Sequence, residues 1–408
     1  VTLRHLLLTG IVLIVACTVT PEPPDKAPAA TPDTQPARPT EDLPANPGIL
    51  FWTPAETQVG FRSIDKVMPQ LTRTVKRGPA VRALPTAPGP ELEVRFEHEG
   101  ASFTTDSYME KNRVSGIIVV KDGQVLLERY GLGRQPDDRW ISFSVTKSLT
   151  STLIGAAIKD GLIRDIDDTV DEYITEMKGS VYAGVSIRQL LTMSSGVKWN
   201  EDYADPESDV ARLGRVLFDG EPSPILAYMR RLERAQPAGE AFKYSTGETD
   251  LAGYVLSRAV GMSMSDYLSK KIWAVYGMER DAIWLTDSSG HERGGCCLNM
   301  TLRDYARIGQ FMLEDGAGVT PTGWVQEASS KHLPVNPDDP DRGYGYFWWT
   351  SGNAYSAIGI FGQMIHIEPE HGVVIAINGA WPVATGAEYS KARSAFVRAA
   401  VNAASTRQ

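Results

Sequence analysis

The stretch Trp140 to Lys159, WISFSVTKSLTSTLIGAAIK, decides how the rest of the chain is read. From Ser144 onward Val145, Leu149, Thr152, Leu153 and Ala156 recur at helical spacing, and Asp160-Gly161 supplies a stop signal. Ser144 therefore falls at or just before the first turn of a core helix, with Lys147 one turn on and on the same side. A serine hydroxyl is a poor nucleophile until a base takes its proton, and a neutral lysine amine can do so. The helix N-terminus adds free N–H groups and the positive end of a dipole, both suited to an oxyanion forming at a carbonyl. Taken alone, Ser-x-x-Lys is a common tetrapeptide, better read as a capped helix with a solvated lysine. Other parts of the chain have to decide.

The 408 residues, 42% of them hydrophobic, describe a globular chain of one large or two interleaved domains. A formal net charge of -9 argues against nucleic acid or an anionic membrane surface as partner. Beyond Cys17 the cysteines are Cys296 and Cys297. Adjacent cysteines close a strained ring, so small apolar packing is expected of them rather than a disulfide. No histidine or cysteine stands at ligand spacing around them, so neither a metal nor another cofactor is expected.

Arg4 and His5 precede the apolar run Leu6 to Ala16, which has the length of a signal-peptide core rather than of a membrane span. The run ends Leu13-Ile14-Val15-Ala16-Cys17, resembling the lipobox of bacterial lipoproteins, in which the cysteine is lipidated. The expected order is a signal peptide over 1–16, a tether over 17–48 and a folded body over 49–408. Nine of the 26 prolines lie between Thr20 and Gly48, a composition that cannot bury a core. The location expected is the cell envelope, the protein being held by lipid to the outer membrane and facing the periplasm.

Val114 to Val120 and Gln124 to Tyr130 flank Lys121-Asp122-Gly123, a strong hairpin signal. Near the other end, Tyr344 to Trp349, Ala354 to Ile360, Gln363 to Ile367 and Val373 to Asn378 read as strands, and Gly386 to Ala404 as a closing helix. Between them, 144–327 reads as mainly helical. The expected fold is α/β of the α+β kind, an antiparallel sheet completed by both ends of the chain with a helical lobe inserted.

Two further segments bear on chemistry. Tyr244-Ser245-Thr246 follows a Pro/Gly turn and precedes the helical run Leu251 to Val260. A tyrosine there, beside a lysine ammonium, would have a lowered pKa and shuttle protons. Ala357-Ile358-Gly359-Ile360 is an apolar strand edge whose glycine permits close backbone approach, suited to offering a second oxyanion N–H.

Ser144-Val145-Thr146-Lys147, then Tyr244-Ser245-Thr246, then a glycine strand near the C-terminus is the order of motifs in penicillin-recognising serine hydrolases. In wording the chain resembles 6-aminohexanoate-dimer hydrolases and related class C β-lactamase-like esterases. The resemblance rests on Val119 to Tyr130, Ser142 to Ser148, Ile187 to Gly196, Trp199 to Asp205, Met300 to Gly309 and Gly362-Gln363. It implies the β-lactamase/DD-peptidase fold, with Ser144 the acylated nucleophile, Lys147 its activating amine and Tyr244 the base or proton relay. It further implies an oxyanion hole from the N–H groups of Ser144 and Ile360, with Tyr203 and Gly359 beside the substrate.

The second motif usually ends in Asn where this chain has Thr246. The third, usually Lys-Thr-Gly, is Ala357-Ile358-Gly359. Without that lysine a β-lactam carboxylate loses its expected cation, whereas an apolar rim suits a linear amide or neutral ester. The expected partner is thus a small amide or ester. The alternatives are an envelope penicillin-binding or sensor protein that acylates without turnover, and a weak β-lactamase or D-Ala-D-Ala carboxypeptidase.

Overall fold

The computed structural model describes residues 1, 42–218, 220–336, 339 and 341–407. The expected signal peptide, apart from Val1, lies outside the described residues, as do Cys17 and most of the expected tether. From Asp42 onward the chain lies on the folded body. Pro44 is buried beside Gly60, and Trp52 Nε1 donates to Asn46 O at 2.9 Å.

Asp122 and Gly123 carry φ of 49° and 77°, the two positive values a two-residue hairpin turn of right-handed twist requires. They join β1 (Val114–Lys121) to β2 (Gln124–Tyr130). The C-terminal part supplies β3 (Leu333–Pro334), β4 (Arg342–Tyr344), β5 (Trp349–Ser351), β6 (Ala354–Gly359), β7 (Gln363–Glu368) and β8 (Val373–Gly379). The sheet runs β2-β1-β8-β7-β6-β5-β4-β3, antiparallel throughout, so both ends of the chain complete it as expected. Ile117 lies opposite Ile377 at the join.

Alternate residues of β8 serve two cores. Val374 and Ala376 pack toward the helical lobe, while Val373, Ile375 and Ile377 pack toward the closing helix Ala387–Ser405. A strand buried on both faces reads as a continuous apolar run for that reason.

Two expectations need correction. Tyr344 to Trp349 is not one strand: β4 stops at Tyr344 and β5 starts at Trp349, with Phe347 at φ 60° between them. A Cβ at Gly345 would overlap Ala328 O, so the chain turns there against a neighbouring helix. The helical lobe also contains two strands, Ala282–Leu285 and Leu298–Met300, in a second sheet of order Thr72–Val75, Ala282–Leu285, Leu298–Met300, Trp140–Ile141. At four and three residues, and buried throughout, they are too short to show a period that would separate strand from helix. Cys297 packs in the core with Trp140, Phe143 and Leu285, and Cys296 packs against that cluster, as expected of small apolar side chains. Cys297 sits at φ 123°, a conformation L side chains rarely adopt, at this turn.

Candidate active site

The helix α1 (Val145–Lys159) is buried almost all round, with only its last two residues reaching partial or full exposure. A helix enclosed on every side needs partners for its polar side chains. Thr146 Oγ1 accepts from Cys297 N at 3.1 Å and Leu298 N at 3.0 Å, and Thr150 Oγ1 donates to Gly294 O at 2.8 Å. These hydroxyls tie α1 to the loop that carries Gly295.

Ser144 caps α1 at the mouth of a cavity, and Lys147 lies one turn inside. The Lys147 amine donates to Ser144 Oγ at 3.2 Å, to Thr246 Oγ1 at 3.0 Å and to Gly295 O at 2.7 Å. Burial lowers its pKa to about 8, with Glu201 and Asp250 working against the shift and Arg293 adding to it. A lysine shifted that far still carries its proton most of the time at pH 7 and becomes mainly neutral, the form a general base needs, only above about 8.

Gly295 is fixed from below. Asp250 Oδ1 accepts from Gly295 N at 2.9 Å, while its Oδ2 takes the buried Arg293 guanidinium at 2.8 Å. Asp250 belongs to the helix Thr246–Val260, the same helix whose first residue is Thr246. One element therefore holds two of the three contacts made by the Lys147 amine.

Tyr244 precedes that helix and is in hydrogen-bonding contact with Ser144. Its ring stacks on Trp349 at 5.7 Å and meets Tyr344 edge-on at 6.1 Å, with Lys147 Nζ 5.3 Å from its centre. The lowered pKa expected of Tyr244 is reversed. Burial, then the negative charge of Glu201, pushes the phenol well above its ordinary value, so it stays neutral.

The strand end supplies the facing wall. A Cβ at Gly359 would stand 2.5 Å from Ser142 O and 3.2 Å from Phe143 Cβ. Gly359 thus lets β6 press against the segment entering α1, bringing Ile360 beside Ser144 at the cavity mouth. Among the described residues, neither the Ser144 nor the Ile360 N–H takes part in a loop or cap hydrogen bond. Phe143 and Phe361, next to these two residues, sit at φ 46° and 58°. Such left-handed backbone persists only where packing over-determines it. Here Phe61 does so, its ring 5.1 Å from Phe143 and 5.3 Å from Phe361.

Sequence reasoning missed Glu201. Its carboxylate accepts from Tyr203 OH at 2.7 Å, from Thr246 N at 3.0 Å, and from Thr246 Oγ1 and Trp199 Nε1. Thr246 accordingly links the Lys147 amine to a carboxylate. The signal is Trp199-Asn200-Glu201-Asp202-Tyr203, in which a carboxylate stands two residues from the expected substrate-side tyrosine. Tyr203 itself lines the cavity with Ser144.

The beta-lactamase family matches residues 104–395. The chain is 30% identical over 367 residues to the 6-aminohexanoate-dimer hydrolase of Paenarthrobacter ureafaciens, covering 85% of this chain and 91% of that protein. Among solved structures, a Bacillus anthracis protein named for 6-aminohexanoate-dimer hydrolase superposes with a TM-score of 0.76 at 23% identity, over 85% of this chain and 94% of that one. A penicillin binding protein from Bacillus halodurans superposes at 0.59 with 15% identity, over 72% and 99%, and at such identities the likeness is one of fold. With the family match spanning most of its length, the chain belongs to the beta-lactamase family and has the fold of those hydrolases.

Proposed function

We propose that this hydrolase cleaves small linear amides or esters through an acyl-enzyme on Ser144. The observation that carries the reading is the buried Lys147 amine within hydrogen-bonding reach of Ser144 Oγ. Ser144 Oγ attacks the substrate carbonyl as its proton passes to Lys147 Nζ. The carbonyl electron pair moves onto oxygen, where the N–H groups of Ser144 and Ile360 receive it. As the carbonyl reforms, the bond to the leaving amine or alkoxide breaks, and that group takes the proton by way of the neutral Tyr244 phenol. Water then repeats the sequence on the acyl-serine, releasing the acid and restoring the hydroxyl.

A linear amide is supported by the name of the Paenarthrobacter relative. Against a β-lactam, Ala357 and Ile358 stand where the third motif would offer lysine. The cations lining the cavity, Arg215 and Arg293, are already held by Glu207 and Asp250.

A fluorophosphonate should add once to the intact protein, on Ser144, and Ser144→Ala should abolish both labelling and turnover. An unlabelled or fully active Ser144→Ala enzyme would sink the proposal. One equivalent of released product followed by arrest would mark an acylating sensor instead.

A further inference from the structure

The cavity at Ser144 holds about 460 Å³ and is walled mainly by apolar side chains, among them Leu50, Phe143, Leu217, Phe218, Leu285 and Ile360. Ser144 and Ile360 both line it, so a carbonyl seated on their N–H groups would have one substituent directed into it. The other substituent lies toward Tyr244, which does not line the cavity and packs on Trp349 and Tyr344. A leaving group takes its proton on the Tyr244 side and departs there. The cavity is left to the acyl chain.

Charge narrows the choice of chain. Among the described residues no aspartate or glutamate lines the cavity, and its two arginines are engaged by Glu207 and Asp250. A terminal ammonium would give up its hydration with no carboxylate to replace it. A neutral hydrocarbon chain gains from the same burial.

One wall comes from an unexpected quarter. Pro47 to Phe51 line the cavity although they lie well upstream of residue 104, where the family match begins. The helix Asp209–Val216 also lines the cavity and contributes Gly214, where an added Cβ would meet nothing within 4 Å.

We propose that the acyl half of the substrate is an uncharged, medium-length apolar chain seated in this cavity, with Pro47 to Phe51 and the Gly214 gap setting its length. The inference rests on the acyl-enzyme reading of Ser144 and adds the substrate class.

The test uses p-nitrophenyl acetate, butyrate, hexanoate and octanoate together with the 6-aminohexanoate ester. With the wild-type enzyme kcat/KM should rise by up to about fourfold per methylene from acetate upward. Hexanoate should exceed 6-aminohexanoate by more than about tenfold. Gly214→Leu should lower the octanoate-to-acetate ratio of kcat/KM by about tenfold or more as it fills the gap. Phe51→Ala, at a position 54% exposed and so tolerant of change, should lower that ratio too. A flat chain-length profile, or preference for the aminated ester, in enzyme whose Ser144 takes the fluorophosphonate would overturn the cavity assignment alone. Absence of both labelling and ester turnover would overturn the acyl-enzyme reading, and this inference with it.

Discussion

Lys147 is where chemistry and burial meet at the scale of one side chain. In the mechanism proposed above its neutral form accepts the serine proton, so acylation should rise with pH in proportion to the free amine and level off above about 8. A pH profile of kcat/KM on a neutral ester reads this directly, and a profile flat from pH 6 to 9 would contradict it. Glu201 raises the lysine pKa by its charge. Glu201→Gln should therefore move the acid limb to lower pH while also reducing kcat, because the Thr246 bridge is disturbed; a limb moving upward would rule out that coupling. Ser144 and Lys147 were legible because their relation is local, three residues apart on one helix. Thr246 meets Lys147 across 99 positions of sequence, and Glu201 meets Thr246 across 45, distances at which no pattern in the chain reports contact. The direction of the Tyr244 shift is hidden for a related reason: a nearby lysine can be read from sequence, whereas enclosure by Trp349 and Tyr344 cannot.

Among elements, the decisive contact is the wedge of Phe61 between the turn into α1 and the turn out of β6. Removing its ring should destabilise the fold by about 3–5 kcal/mol through lost burial and a cavity. Because Phe143 and Phe361 hold left-handed backbone next to Ser144 and Ile360, the proposed oxyanion donors, Phe61→Ala should also lower kcat more than it changes KM. Urea unfolding together with steady-state kinetics on purified protein checks both halves, and an intact kcat would show that the turns hold without the wedge. Gly359→Val should push β6 away from Ser142 and cost about 10²–10³ in kcat, the loss expected of a missing oxyanion donor. The β1–β2 hairpin was readable because Asp-Gly dictates its turn chemistry. The break between β4 and β5 was not, since it is imposed from outside by Ala328.

For the whole molecule, the sheet has a core on each face, and the closing helix Ala387–Ser405 covers one of them. Phe396 of that helix stacks on Tyr108 at 4.6 Å, while Val397 and Val401 pack over the same face. A chain ending at Gly386 should expose Ile117, Ile375 and Ile377 and accumulate as insoluble protein. Soluble expression at the full-length level would show that the helix is dispensable. The α+β plan was legible because strand patterns gathered at both ends of the sequence and helical ones between. The small second sheet was hidden, its strands being too short to show a period.

The opposition of Ile117 and Ile377 also constrains how the protein is made. β1 leaves the ribosome well before its partner β8, with the whole helical lobe synthesised between them. Hairpins and helices in between can form on the nascent chain, but the central ladder must wait, since contacts so distant in sequence close slowly. Throughout elongation β1 presents an unpaired apolar edge, the kind of surface that chaperones shield and that aggregation exploits.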